Sequence, residues 1–268
     1  MNNRSKAINL FINKTKYNRS DLLSCVAIHK GFTNVSYKVQ TNDMCFYQIR
    51  LGNDKGKVNR QNELKLHQLL KLTDFIYYDV SNGNAVKKWI SGVNPTKRQI
   101  SSNSFLKAFA ESLMWLHRVK ASNIVKHNYW DCIEKAKLPL EHKAAYISLI
   151  KDYERMPLVL SHNDLSADNL IYTPSKKVVF IDYEWARMNN KYWDVANFIR
   201  EVNLPLREIK ILCKLLKFNN LHQLLTFVYL TTNYAYQWTF NMPFTPIMKR
   251  YRQLTFKKLK RYYQFVSN

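Results

Sequence analysis

The sequence predicts an α+β protein of two lobes, a small antiparallel sheet followed by a larger, mostly helical part. Apolar residues first alternate in short paired runs, up to about residue 90. Ser91-Gly92-Val93-Asn94-Pro95 then interrupts every period. Beyond it, apolar residues recur at helical spacing almost to the end. The expected division is therefore residues 1–90 and 91–268. With 268 residues, 46% of them hydrophobic and 14% aromatic, the chain can bury a sizeable core, which excludes a disordered polypeptide.

In order, residues 35–39 alternate, Thr41-Asn42-Asp43 turns, and residues 45–51 alternate again, which is a hairpin pattern. Gly31-Phe32-Thr33-Asn34 sits just before the first strand. A helix is expected from about Val58 to Leu72, with Leu66, Leu69 and Leu70 on its apolar face. Short strands follow at 75–79 and 85–90 around Ser81-Asn82-Gly83-Asn84. Past the break, Ser101 or Ser102 caps a helix whose stripe is Phe105, Phe109, Leu113 and Leu116. Two further helices are expected within 128–155, and a second hairpin from 170–172 and 178–181. The rest reads as helical from Trp193, with Pro205 in a first turn.

The net charge of +23 raises affinity for polyanions in general, but the basic residues are scattered. Short runs such as Lys249-Arg250, Lys257-Lys258 and Lys260-Arg261 read as the solvated face of a C-terminal helix, so no nucleic-acid partner is expected. Cys25, Cys45, Cys132 and Cys213 show no paired spacing, which argues against zinc and against a disulfide framework. No apolar run approaches the ~20 residues of a membrane span, and residues 7–12 are too short for a signal peptide. A cytoplasmic setting is expected; the oligomeric state is not legible.

The chemistry lies in Ser161-His162-Asn163-Asp164-Leu165-Ser166-Ala167-Asp168-Asn169. His and Asp are followed, five residues after the Asp, by an Asn, which fits a phosphoryl-transfer catalytic loop. Chance supplies that spacing about 0.03 times in such a composition. Requiring Asp182 behind the apolar run 178–181 lowers this to roughly 0.001. Phosphoryl transfer depends on positioning and charge neutralisation. Magnesium is held by oxygen ligands, here Asn169 and Asp182. Asp164 would accept the proton of the substrate hydroxyl, while His162 is better placed to brace the loop than to react. Among nucleotide contacts, Arg50 on the middle strand would meet the phosphates of ATP and pair with Glu63 on the following helix. Gly31 is the one glycine of the expected phosphate loop, so Thr33, Asn34 and Ser36 are candidates for the phosphate oxygens.

Ile181-Asp182-Tyr183-Glu184-Trp185, Asn189, Asp194-Val195-Ala196-Asn197 and Glu201 resemble the signature of choline and ethanolamine kinases. These belong to the aminoglycoside-phosphotransferase-like group, whose fold is two-lobed and protein-kinase-like. The resemblance runs from about Gly31 to Glu201. It includes Arg50, where protein kinases carry Lys, and is nearest to the short bacterial choline kinases. It implies Asp164 as base, Asn169 and Asp182 as magnesium ligands, and Glu184 as a support for metal or substrate. It also implies an adenine hinge at the backbone of Trp89 and Ile90.

The resemblance makes choline the expected acceptor and phosphocholine the product; ethanolamine, thiamine, an aminoglycoside or a sugar amine are alternatives. Six acids, Asp164, Asp168, Asp182, Glu184, Asp194 and Glu201, fall between residues 164 and 201 of a chain holding 19. Those not used for metal would draw a cation into a basic protein. A quaternary ammonium cannot donate a hydrogen bond, so it suits an aromatic cage beside a carboxylate. Tyr234 and Trp238 share a helix face, and Tyr251 is a third candidate by likeness to the family's C-terminal pattern; the alternative is that these rings are core.

Overall fold

A computed structural model describes residues 2–28, 34–52 and 58–267, and the chain divides into two compact units. The first comprises residues 1–92 together with 182–185, and the second residues 93–181 and 186–268.

The first unit begins with helix α1 (Asn3–Lys14), capped by the Asn2 side chain on the Ser5 amide. Strands β1 (Leu22–Ile28), β2 (Asn34–Thr41) and β3 (Phe46–Gly52), helix α2 (Arg60–Leu69), and strands β4 (Phe75–Tyr78) and β5 (Ala85–Lys88) follow. The strands form one antiparallel sheet in the order β1-β2-β3-β5-β4. Its register pairs Tyr37 with Ile49, Val39 with Tyr47 and Ile49 with Val86, so these side chains share one face. Ala7, Ile8 and Phe11 of α1 complete that core. The opposite face carries Ser36 opposite Arg50, Arg50 opposite Ala85, and Gln48 opposite Lys87.

Neither α1 nor β1 was expected. The apolar stripe of α1 is short, with Ala7, Ile8 and Phe11 buried and Leu10 and Ile12 partly so, and its helicity depends on the sheet it covers. Along β1 the alternation is blurred, since Leu23 and Val26 point to solvent.

The second unit holds α3 (Lys97–Ile100), α4 (Asn103–Arg118), α5 (Leu140–Tyr153), β6 (Leu158–Ser161), β7 (Leu170–Tyr172), β8 (Val178–Phe180), β9 (Arg187–Asn190), α6 (Trp193–Val202), α7 (Leu206–Leu215), α8 (Leu221–Trp238) and α9 (Pro246–Tyr263). Ser102 is the cap of α4, and its stripe of Phe105, Phe109, Leu113 and Leu116 is fully buried. The hairpin β7–β8 forms as expected, while β6 pairs antiparallel with β9. Three differences from the sequence reading have local causes. One helix rather than two occupies 128–155, because Pro139 sets its start and the preceding segment turns. Pro205 precedes α7 as its cap instead of entering the first turn. Strand β9 is hidden because Arg187, Asn189 and Asn190 carry no β signature; the latter two are buried and pair their backbone with β6. Among the described residues no helix is long and apolar enough to cross a membrane.

Candidate active site

The loop between β6 and β7 is held from below. Leu160 and Leu165 are fully buried and anchor its two sides. Between them the backbone turns through Asn163 at φ 64°, a left-handed conformation that Asn tolerates better than most residues. The buried Asp194 carboxylate on α6 supports that turn. It accepts from the backbone N–H of His162 at 2.9 Å and of Asn163 at 2.8 Å, and lies 3.4 Å from His117 Nε2. Asn197, one turn further along α6, donates to the Leu165 carbonyl at 3.1 Å.

His162 is fully buried with both ring nitrogens on backbone. Nε2 donates to the Ile181 carbonyl at 2.9 Å, and Nδ1 accepts from the Asp164 N–H at 3.4 Å. That pattern requires the neutral imidazole with its proton on Nε2. His162 therefore ties the loop to the end of β8, as a positioning residue.

Asp164 is half-buried. The amide of Asn169 donates to its carbonyl at 2.7 Å and to its carboxylate Oδ2 at 2.9 Å. This fixes which end of the Asn169 amide faces Asp164 and leaves Oδ1 as the oxygen that Asn169 can offer a cation. The Ile181 N–H donates to the Asn169 carbonyl at 3.0 Å, so the end of the β7–β8 hairpin is joined to the same loop. The next residue along the chain is Asp182, at φ 66°.

Replacing Asp194 by Asn is expected to cost about 2–3 kcal/mol, because the two loop N–H donors lose a carboxylate that gave each an oxygen. Urea unfolding measures that loss, and turnover should fall in the same variant as the loop relaxes. Unchanged stability would show that Asp194 does not hold the loop.

Within the first unit, Arg50 is 2% exposed and centres a charge network. Its Nε donates to the Gly83 carbonyl at 2.9 Å and its Nη1 to Glu63 Oε1 at 2.7 Å. Asp182 Oδ1 stands 3.7 Å from Nη1, with its side chain still open to solvent. Gly83 is required as glycine: its φ is +77°, and a Cβ there would meet the Arg60 guanidinium at 2.4 Å. Burial works against the charge of Arg50, but Glu63, Asp182 and Glu184 hold its pKa above the ordinary value. The Nη2 of Arg50 is buried and has no hydrogen-bond partner among the described residues.

Glu63 takes further donors from Arg60 Nη1 at 2.8 Å and the Tyr78 hydroxyl at 2.7 Å. Burial alone would raise its pKa; His67, Arg50 and Tyr78 outweigh that and hold the carboxyl far below its usual range. Lys87 is also buried beside this network, its ammonium 4.1 Å from the Phe75 ring centre. Burial and then Arg50 push its pKa down.

Several of the expected contact residues have protein partners in this structure. Glu184 is 5% exposed and is engaged by Asn34 Nδ2 at 2.8 Å and Arg60 Nη1 at 3.5 Å, so its carboxylate is turned into the protein. The other end of the Asn34 amide accepts from Arg60 Nη2 at 3.2 Å. Ser36 is buried and accepts from Gln48 at 3.3 Å. Asn34 and Ser36 thus have protein partners where phosphate oxygens were expected. Gly31 and Thr33 lie outside the described residues. The Trp89 N–H, at the expected adenine hinge, donates to the Phe46 carbonyl at 2.9 Å, which leaves Ile90 as the neighbouring backbone position.

Among the remaining acids, Asp168 is exposed, whereas Asp194 is buried and accepts from two N–H groups of the loop. Glu201 of α6 contacts Arg200 at 2.6 Å and accepts from the Tyr251 hydroxyl at 2.9 Å. Burial would raise its pKa, but Arg200 and Lys258 lower it, so it stays ionised. Tyr251 and Glu201 are therefore brought together. Tyr234 instead packs against His127 and Trp193, at ring distances of 4.9 and 5.5 Å, while Trp238 lies half-buried one turn further along α8.

A sequence profile described as choline/ethanolamine kinase matches residues 138–241. The uncharacterized MG356 homolog of Mycoplasma pneumoniae is 33% identical over 266 residues, covering 96% of this chain and 92% of that protein. The chain belongs to the choline/ethanolamine kinase family. As a member of that family it is a phosphotransferase acting on an alcohol group. Its fold is that of an ethanolamine kinase of Plasmodium vivax, with a TM-score of 0.77 at 19% identity, covering 97% of this chain and 89% of that one. A choline kinase, LicA, of Streptococcus pneumoniae matches with a TM-score of 0.72 at 18% identity, over 96% and 97% of the two chains. Both likenesses bear out the α+β, kinase-like architecture.

In this kinase, sequence reasoning missed Arg60, which stands between Glu63 and Glu184. Its spacing of three from Glu63 on α2 was a usable signal. Buried Lys87 carried none, since a single lysine at the end of a short strand reads as surface.

Proposed function

We propose that the chain is a choline kinase, transferring the γ-phosphoryl group of ATP to the hydroxyl of choline and forming phosphocholine. Residues 1–90 would form the nucleotide-binding lobe and residues 91–268 the catalytic and substrate-binding lobe, in a cytoplasmic enzyme. The observation that supports the reading is the pairing of Asp164 with Asn169, which sets a carboxylate and an amide oxygen together in one loop. Asp164 would accept the proton from the acceptor hydroxyl, while His162 holds the loop in register.

The residues fit a magnesium nucleotide. The buried, unpartnered Nη2 of Arg50 suits a phosphate oxygen, and the oxygens of Asn169 and Asp182 are the hard donors magnesium prefers. When bound, magnesium would neutralise charge on the transferring phosphoryl group. Glu63 would keep Arg50 oriented, and the backbone at Ile90, beside Trp89, would meet the adenine.

For the acceptor, ionised Glu201 beside Tyr251 supplies a carboxylate and an aromatic ring, the two elements a quaternary ammonium needs. Trp238 on α8 would extend that wall, and Tyr234, packed against His127 and Trp193, would support it from the core. The likeness to an ethanolamine kinase supports ethanolamine as the second reading. Steady-state ATP consumption with choline, ethanolamine and an aminoglycoside, with and without magnesium, tests both. Choline is expected to be turned over at least about tenfold more efficiently than ethanolamine, and only with magnesium. Equal efficiencies would remove the cage, and turnover of the aminoglycoside alone would overturn the choline reading.

A further inference from the structure

We propose that the outer face of α9 docks the enzyme on an anionic lipid bilayer. Helix α9 spans 18 residues without one acidic side chain, and it sorts its cations into two sets. Arg252 and Lys258 turn inward: Arg252 donates to the Thr239 hydroxyl at 2.9 Å and carbonyl at 2.7 Å, and Lys258 donates to the Arg200 carbonyl at 2.6 Å. Lys249, Arg250, Lys257, Lys260 and Arg261 turn outward and are exposed. None of these five forms a salt bridge among the described residues.

The same outer surface is apolar as well as basic. Phe244 just before the helix is 70% exposed, Ile247 68% and Leu254 49%. Ile247, Arg250, Leu254, Lys257 and Arg261 follow one another at spacings of three and four, so large apolar and cationic side chains share one stripe. The inner face is spent on packing, with Met248, Thr255 and Leu259 buried.

Charge and hydrophobicity together select the occupant. A second copy would bring five like charges against five, in a chain already at net +23, so self-pairing is opposed. Nucleic acid would satisfy the cations but leave the three apolar side chains in water. An anionic bilayer satisfies both: lipid head groups attract the cations, and the acyl boundary accepts Phe244, Ile247 and Leu254. Docking of this kind is peripheral and reversible.

Cosedimentation of the full chain with vesicles tests this directly, using phosphatidylcholine alone and phosphatidylcholine mixed with phosphatidylglycerol. Binding to the mixed vesicles is expected to exceed binding to the neutral ones by at least about tenfold and to weaken with salt. Two double variants, Ile247→Ser with Leu254→Ser and Lys257→Gln with Arg261→Gln, should each weaken binding to mixed vesicles at least about tenfold. Both sites are exposed, so the thermal midpoint and the turnover of a water-soluble acceptor should match the parent. Lack of vesicle binding, or equal binding to both vesicle types, overturns the proposal. So does a serine variant that binds mixed vesicles as the parent does, because the face is then a general polyanion surface, to be seen also with transfer RNA. A parent that dimerises with concentration while the serine variant stays monomeric assigns the face to a second copy, and that too overturns it.

Discussion

Asp164→Asn is expected to lower phosphoryl transfer by about 10²- to 10⁴-fold, the range that a positioned general base contributes. The substitution is nearly isosteric; it removes the negative charge and, with it, the ability to receive a proton. The fold around it does not depend on that ability. The Asn169 amide can still donate to the carbonyl of residue 164, the bond that measures 2.7 Å. The backbone turn is held by Asp194, not by Asp164. The thermal midpoint should therefore stay within about 2–4 °C of the parent, the shift that ~1 kcal/mol produces in a chain of this size. Steady-state turnover with choline and with ethanolamine, beside a thermal unfolding curve, gives both readings. Turnover within about threefold of the parent would remove Asp164 from the chemistry, and a collapsed midpoint would make it a structural residue.

The loop was legible because phosphoryl transfer restricts residue type and spacing within a few positions. His162, Asp164 and Asn169 need only a local turn to meet, and the turn is local. Arg50 and Glu63 were legible for a different reason: strand followed by helix brings a basic residue and an acid together across a short separation, and the pair forms at 2.7 Å. What local pattern does not encode is the third partner. For Arg60, helix spacing could signal Glu63 but not Glu184, because that second ion pair joins residues 124 positions apart. For the same reason Glu184 looked available from its motif and proved to be enclosed. Asp194 looked like one more substrate-facing acid, although its oxygens are consumed by two backbone donors 31 and 32 residues earlier.

The sheet shows the same limit. Strands β2 and β3 announce themselves by apolar residues at every second position, Val35, Tyr37 and Val39 and then Tyr47, Ile49 and Leu51, whereas β1 lies at the sheet edge with Leu23 and Val26 in solvent, so its pattern carries little information. Helix α1 exists because a hydrophobic sheet face needs a cover, a demand that residues 22–52 make and residues 3–14 answer.

Glu63→Gln is expected to destabilise the protein by about 3–5 kcal/mol at neutral pH, the cost of removing one partner from a buried ionic cluster. The guanidinium groups of Arg50 and Arg60 both contact this carboxylate, at 2.7 and 2.8 Å. A glutamine could accept from Tyr78 yet would leave two buried cations facing each other without an anion between them. The thermal midpoint should fall by about 6–20 °C, and turnover should fall with it as Arg50 loses its anchor. The pH dependence separates charge from shape. Because the folded pKa of Glu63 lies far below its unfolded value, its stabilisation is complete above about pH 4.3 and declines as the pH falls below that value. The stability gap between parent and variant should therefore be widest at neutral pH and narrow by up to ~1.4 kcal/mol per pH unit in acid. Urea unfolding of both proteins at pH values from neutral to acid measures this. A gap that is constant with pH would show that the carboxylate is replaceable by any polar group of its shape, and that Arg50 is held by its bond to Gly83 alone.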